Sequence, residues 1–213
     1  TNKPNLLLLS YNNYNSKFED VMLHYKNNFS KKILTTKNIN RLNEIINSPN
    51  NLSKKKKEFV NKILPFIINQ NRNILVQRQR LIEIKDFLNQ NKTLNKVDQK
   101  FVKSLASKYL VINKNRHKID VINDLLICID IIPNSIVLAQ AANESGWGSS
   151  RFAKEYNAFF GQYTYDDRIG VAPSRRDAGD KHLIKFFSSI DKSVESYFIN
   201  INSHFAYNEF RKM

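Results

Sequence analysis

Apolar residues recur at helical spacing through much of the chain, and the longest such pattern starts near Ser53, with Phe59, Ile63, Ile67, Ile74, Leu81 and Leu88 on one helical face. It predicts a helix over roughly residues 53–89, kinked or interrupted at Pro65. A second helix carries Val97, Phe101, Leu105 and Tyr109, with Asn95 as a suitable cap. Ahead of both, residues 1–51 are rich in Asn and Lys but hold helical patches at Phe18-Val21-Met22-Tyr25 and Ile39-Leu42-Ile45-Ile46. The polar stretch Asn113-Lys114-Asn115-Arg116 reads as a linker. The chain is thus expected to divide into an N-terminal helical region, residues 1–112, and a second domain, residues 117–213.

In that second domain the apolar run Ile131 to Leu138, with Pro133 suited to a first helical turn, leads a helix toward Glu144. A following helix, capped by Ser149 or Ser150, carries Arg151 and Phe152 and ends near Asn157. The alternation from Lys181 to Phe187 reads as a half-buried strand, part of a β-hairpin between about Gly161 and Phe187. A last helix carries Val194, Tyr197, Phe198 and Ile201. Five Gly and five Pro in 213 residues favour long helices over a sandwich, so the fold class is mainly α with a small β-hairpin lobe.

Composition limits the partners. With 34 Lys and Arg against 19 Asp and Glu, the net charge of +15 points to a polyanionic environment: nucleic acid, anionic lipid or an anionic cell wall. Lys54-Lys55-Lys56-Lys57 is the one compact basic run, and a solvated first turn of a helix accounts for it. No helix-turn-helix, zinc-finger or RNA-recognition pattern is present, so sequence-specific nucleic acid is not an expected partner. Cys128, the single cysteine, lies in an apolar run and reads as a small buried hydrophobe. His24, His117, His182 and His204 show neither the spacing of a metal site nor that of a base beside a nucleophile, and no cofactor is expected. Leu6 to Leu9 is far too short to span a bilayer. A first residue Thr1 with no Met fits a leader or anchor removed beforehand.

The segment Ala139 to Ala153 concentrates the chemistry. It puts Glu144 in the last turn of an apolar helix, where the negative end of the helix and the loss of water are expected to favour the protonated carboxyl. A glycosidase needs such an acid to protonate a leaving oxygen. Gly146 and Gly148 permit conformations other residues resist, Trp147 offers a flat face to a sugar ring, and Gln140 lies one turn before Glu144. A helix end usually attracts Lys or Arg, so an acid there outweighs the reading of Glu144 as an ordinary solvated side chain.

The run AQAANESGWGSSRFAKEYNAFFGQY resembles the signature of glycoside hydrolase family 73, the glucosaminidase-type peptidoglycan hydrolases, and within it the Bax-like branch. The likeness covers about Asp130 to Met213 and extends more weakly to Lys54–Leu110. Its motifs are the helix and turn around Glu144, then Asn157 with Phe160-Gly161 as an N-x-x-F-G pattern, then Asp191 and Tyr197. The resemblance implies a lysozyme-like fold, Glu144 as general acid and Tyr197 lining the cleft near it. Trp147, Asn157, Phe160, Gly161 and Tyr163 would then border the sugars together with Gln140. It further implies peptidoglycan glycan strands as substrate and action in the periplasm or at the cell surface.

One departure stands out. Several branches carry a glutamate as base in the β-lobe, whereas the stretch from Gly170 to Phe187 has only Asp177 and Asp180, both equally suited to a turn beside Gly179. The leading expectation is an endo-β-N-acetylglucosaminidase. A lytic transglycosylase on the same scaffold would need one acid only, and a non-catalytic module would hold wall polyanions by charge.

Overall fold

The computed structural model describes residues 53–112, 114–173 and 181–212. The helical patches expected before Ser53, and both Asp177 and Asp180, lie outside the described residues. Within them the chain is mainly helical: α1 Lys54–Asn89, α2 Lys96–Lys108, α3 Lys118–Cys128, α4 Asn134–Ser145, α5 Arg151–Tyr156, α6 Ile190–Ser203 and α7 Asn208–Lys212, with one 3-10 turn at Phe205–Tyr207. Three short strands, β1 Tyr163–Thr164, β2 Gly170–Val171 and β3 Leu183–Lys185, lie between α5 and α6.

The described residues fall into two compact units that interleave along the sequence, one holding those from 53 to Ile68 together with those between Pro133 and Ser193, the other those between Asn69 and Ile132 with those from Val194 onward. Helix α1 contributes to both, and it runs unbroken through Pro65 instead of being interrupted there. Fully buried Ile63 and Ile67 on either side hold the helix where one backbone hydrogen bond is forfeited.

In the first unit, Phe59, Ile63, Leu64 and Ile67 of α1 and Val137, Ala141 and Ala142 of α4 supply buried apolar surface. The sheet order is β1-β3-β2, all neighbours antiparallel, so the chain makes a three-stranded sheet with its last strand in the middle, not the simple hairpin expected. Ile184 faces both Tyr163 and Val171 in register. Gly170 is required there by space: a Cβ would meet Leu183 Cβ and Thr164 Cγ2 at 2.6 Å.

In the second unit, Asn95 caps α2, its Oδ1 accepting from the Asp98 amide at 2.8 Å, as the sequence predicts. The buried face of α2 runs through Asp98, Leu105 and Ala106, which turns Val97 outward at 74% exposure, contrary to its expected core position. Helix α3 separates the linker turn from α4, and the sequence reading did not resolve it. Its first-turn and central residues Val121, Ile122 and Leu125 are buried, whereas Cys128 is only half-buried. Its thiol is pushed up by that burial.

The stretch that follows α3 is gripped by side chains distant in sequence. Asn71 donates to the Ile132 carbonyl at 2.7 Å and accepts from the Ile132 amide at 3.0 Å, pairing with the backbone as a neighbouring strand would. Arg78 donates to the carbonyls of Leu126 and Ile129 and faces the Asp130 carboxylate at 3.5 Å, and Asn202 donates to the Asp130 carbonyl. Among the described residues no helix is long and apolar enough to cross a membrane.

Candidate active site

Helix α4 carries Glu144 in its last turn and stops at once. Gly146 adopts a left-handed conformation (φ 56°) and donates to the Asn143 carbonyl at 3.3 Å, while the Trp147 amide reaches back to the Ala142 carbonyl at 2.8 Å. These two bonds make a Schellman ending. The left-handed run continues through Trp147 (φ 58°) and Gly148 (φ 71°). For Trp147 such a backbone costs about 1–2 kcal/mol. Ser145, fully buried, offsets that cost: its hydroxyl donates to the Ala141 carbonyl at 2.5 Å and accepts from the Gly148 amide at 2.8 Å. Ser149 adds a bond from its hydroxyl to the Gly146 carbonyl.

This turn sets Glu144 out into solvent. The carboxylate is exposed, which corrects the expectation that a buried helix deprives it of water. Two neighbours among the described residues approach it. Asn143 Nδ2 lies 3.5 Å from Oε1, and Gly161 lies against Oε2, where a Cβ on Gly161 would come within 3.1 Å. Gly161 is itself left-handed (φ 57°), a conformation that strains other residues, and a Cβ there would make the Glu144 carboxylate give by a few tenths of an ångström.

The N-x-x-F-G segment delivers Gly161 to that position. Ser150 caps α5 through the Ala153 amide, as expected, and Asn157 ends it in a left-handed conformation (φ 51°). Asn157 Nδ2 then donates to the Phe187 carbonyl at 3.1 Å, while the Phe187 amide donates to Tyr156 at 2.9 Å. This half-buried amide ties the end of α5 to the continuation of β3. Phe160 is buried and Phe159 more completely so, the Phe159 amide donating to Ser193 Oγ.

Trp147 is half-buried. Its ring meets Phe59 edge-on at 5.6 Å between centroids, with 74° between planes, and the Lys56 ammonium sits 4.9 Å from its centroid. Phe59 also packs on Phe159 at 6.3 Å. The sequence reading connects neither Phe59 nor Lys56 to Trp147, because nothing local links the start of α1 to a turn so far along the chain. Gln140 is exposed one turn before Glu144, and Tyr163 is 66% exposed with its ring 4.6 Å from His182. Tyr197 is buried in α6, within the second unit.

The sequence reading also passed over Asp166 and Asp167, carboxylates between β1 and β2. Asp166 accepts two bonds from the Arg168 guanidinium, at 2.9 and 2.8 Å, and one from its amide; the guanidinium holds the Asp166 carboxyl below the usual carboxylate range. Asp166 thus serves its own turn.

Residues 120–213 match the family model described as Glucosaminidase, mannosyl-glycoprotein endo-beta-N-acetylglucosaminidase. The chain is also similar to Protein bax of Escherichia coli (strain K12), 36% identical over 159 residues that take in 74% of this chain and 54% of that protein. It therefore spans about half the length of the curated relative it matches. No solved structure matches it significantly.

Proposed function

Since residues 120–213 belong to the glucosaminidase family, in its Bax-like branch, we propose that this chain hydrolyses peptidoglycan glycan strands as an endo-β-N-acetylglucosaminidase with Glu144 as general acid. The observation that carries this reading is the exposed carboxylate held at a rigid helix ending, with the bare backbone of Gly161 against one of its oxygens. A side-chain-free neighbour leaves room for a sugar oxygen at the acid. In the proposed reaction the Glu144 proton passes to the glycosidic oxygen, the leaving sugar departs as an alcohol, and water adds to the anomeric carbon as a hydroxyl, its released proton restoring the acid form of Glu144. The enclosing glycan would supply the exclusion of water that the chain alone does not give Glu144. Tyr197 is proposed, on the family resemblance, to organise the second half of the reaction with the substrate's acetamido group. The wall places the site of action in the periplasm or at the cell surface in this reading.

A lytic transglycosylase is the second reading, favoured by the lack of any Glu between Gly170 and Phe187. There a muramic hydroxyl, not water, attacks. One digestion separates the two. Purified peptidoglycan is treated with the wild type and with Glu144→Gln, and the new ends are identified by mass spectrometry after borohydride reduction. The expected product is a reduced N-acetylglucosamine end, lost by at least about a hundredfold in rate in the folded variant. Anhydro ends would establish the transglycosylase, and near-normal cleavage by Glu144→Gln would remove Glu144 from its role. Asp177→Asn and Asp180→Asn are each expected to keep far more activity than Glu144→Gln.

A further inference from the structure

The first turn of α1 holds Lys54, Lys55, Lys56 and Lys57 and no acidic residue. Four ammonium groups at the positive end of a helix repel both one another and the helix dipole. Among the described residues the ion pairs engage Arg78, Arg80, Lys108, Arg116 and Arg168, and none of these lysines. The turn is nevertheless fixed in place beside the candidate acid. Lys56 lies over the Trp147 ring, Lys62 lies 5.9 Å from the Phe159 ring centroid, and Phe59 packs between those two aromatics. Phe59 also closes on Gly148, where a Cβ would stand 3.1 Å from its Cδ2. Trp147 and Gly148 belong to the turn that directly follows Glu144. Positive charge that no acidic side chain among the described residues pairs with is therefore docked, through aromatic contacts, on the structure that presents the acid.

We infer that Lys56 and Lys62, with the rest of this basic turn, form a binding rim for carboxylates on the substrate. The inference rests on the peptidoglycan reading above, because the anions it calls for are the carboxyl groups that peptide substituents carry along an otherwise neutral glycan. The rim explains why a folded helix keeps four lysines where acids are favoured. It also gives part of the +15 charge a task tied to the site, beyond general adsorption to the wall.

The test measures pelleting of the intact protein with insoluble wall freed of phosphate polymers. It uses the wall as purified and after its carboxyls have been converted to amides with carbodiimide and ammonia. Lys56→Gln/Lys62→Gln is compared with Lys100→Gln/Lys103→Gln, a pair on α2 with the same loss of charge. Two exposed ion pairs support an expected weakening of about fivefold for the first pair on native wall. On amidated wall that penalty vanishes, and the α2 pair behaves as the wild type on both. Equal weakening by the two pairs, or an undiminished penalty on amidated wall, overturns the inference. Cleavage is followed in the same tubes: a wild type that is retained selectively yet cuts nothing would refute the hydrolase reading and leave the carboxylate rim standing.

Discussion

Helix α4 is entered and left by segments secured in opposite ways. Its entry, Ile129 to Ile132, has no regular structure and is clamped by Asn71, Arg78 and Asn202, residues 61, 51 and 72 positions away from the groups they bind. Its exit, Gly146 to Gly148, is held by hydrogen bonds that begin and end within a few residues of Glu144. The entry is a tertiary construction, stable only when the surrounding helices have assembled. The exit is a local motif whose geometry is written into Ser145 and two glycines. A catalytic group benefits from the second arrangement, because its position then tolerates small movements elsewhere.

Three substitutions put that contrast at risk. Asn71→Ala should be the most damaging, since it strips partners from the buried amide and carbonyl of Ile132; a loss of about 3 kcal/mol is expected by denaturant unfolding. A loss below about 1 kcal/mol would mean that the entry is not held as described. Gly161→Ala should cost about 1 kcal/mol in stability through its left-handed backbone. It should cost more in catalysis, about tenfold, by displacing the Glu144 carboxylate. If stability falls while activity per folded molecule is unchanged, Gly161 serves only its own turn.

Tyr109→Phe is expected to have the smallest effect and sharpens the comparison from the entry side. Its buried hydroxyl has no hydrogen-bond partner among the described residues, so removing it should change stability at neutral pH by less than about 0.5 kcal/mol, unlike the loss of well-paired Asn71. The pH dependence carries a sign. Burial, aided by the charges of Glu195 and Cys128, pushes the Tyr109 phenol up to about 12. Above about 10 the unfolded chain releases this proton before the folded one does. The contribution is complete below that pH and is lost as pH rises through about 12, and Tyr109→Phe should remove this part of the alkaline decline.

The same contrast decides what the sequence revealed. Glu144, its glycines, the Ser150 cap and the Asn95 cap were legible because each depends on near neighbours. The placing of Gly161 against Glu144 came only through the motif resemblance, since no local rule links a residue after α5 to the end of α4. Asn71 and Arg78 left a signal that was not used: they lie seven apart along the buried stripe of α1, polar residues in apolar company. Phe59 was assigned to a core, correctly, but its partner Trp147 was out of reach of any periodicity. The central place of β3 was equally hidden, because alternation identifies a strand without naming its neighbours.

That central place bears on the order in which the molecule can be made. Among the described residues, strands β1 and β2 do not pair with each other, and both pair with a strand that follows them in the chain. As the chain emerges during synthesis, the two edges must wait in solution until Leu183–Lys185 arrives. The lobe then closes in one step, with a loop-closure cost met before any of its strand hydrogen bonds exist. Helix α5, complete some thirty residues earlier, gains its tie from Asn157 to Phe187 at the same moment. The sheet and the end of α5 should therefore acquire hydrogen-exchange protection together and late, after α4 has already taken its shape.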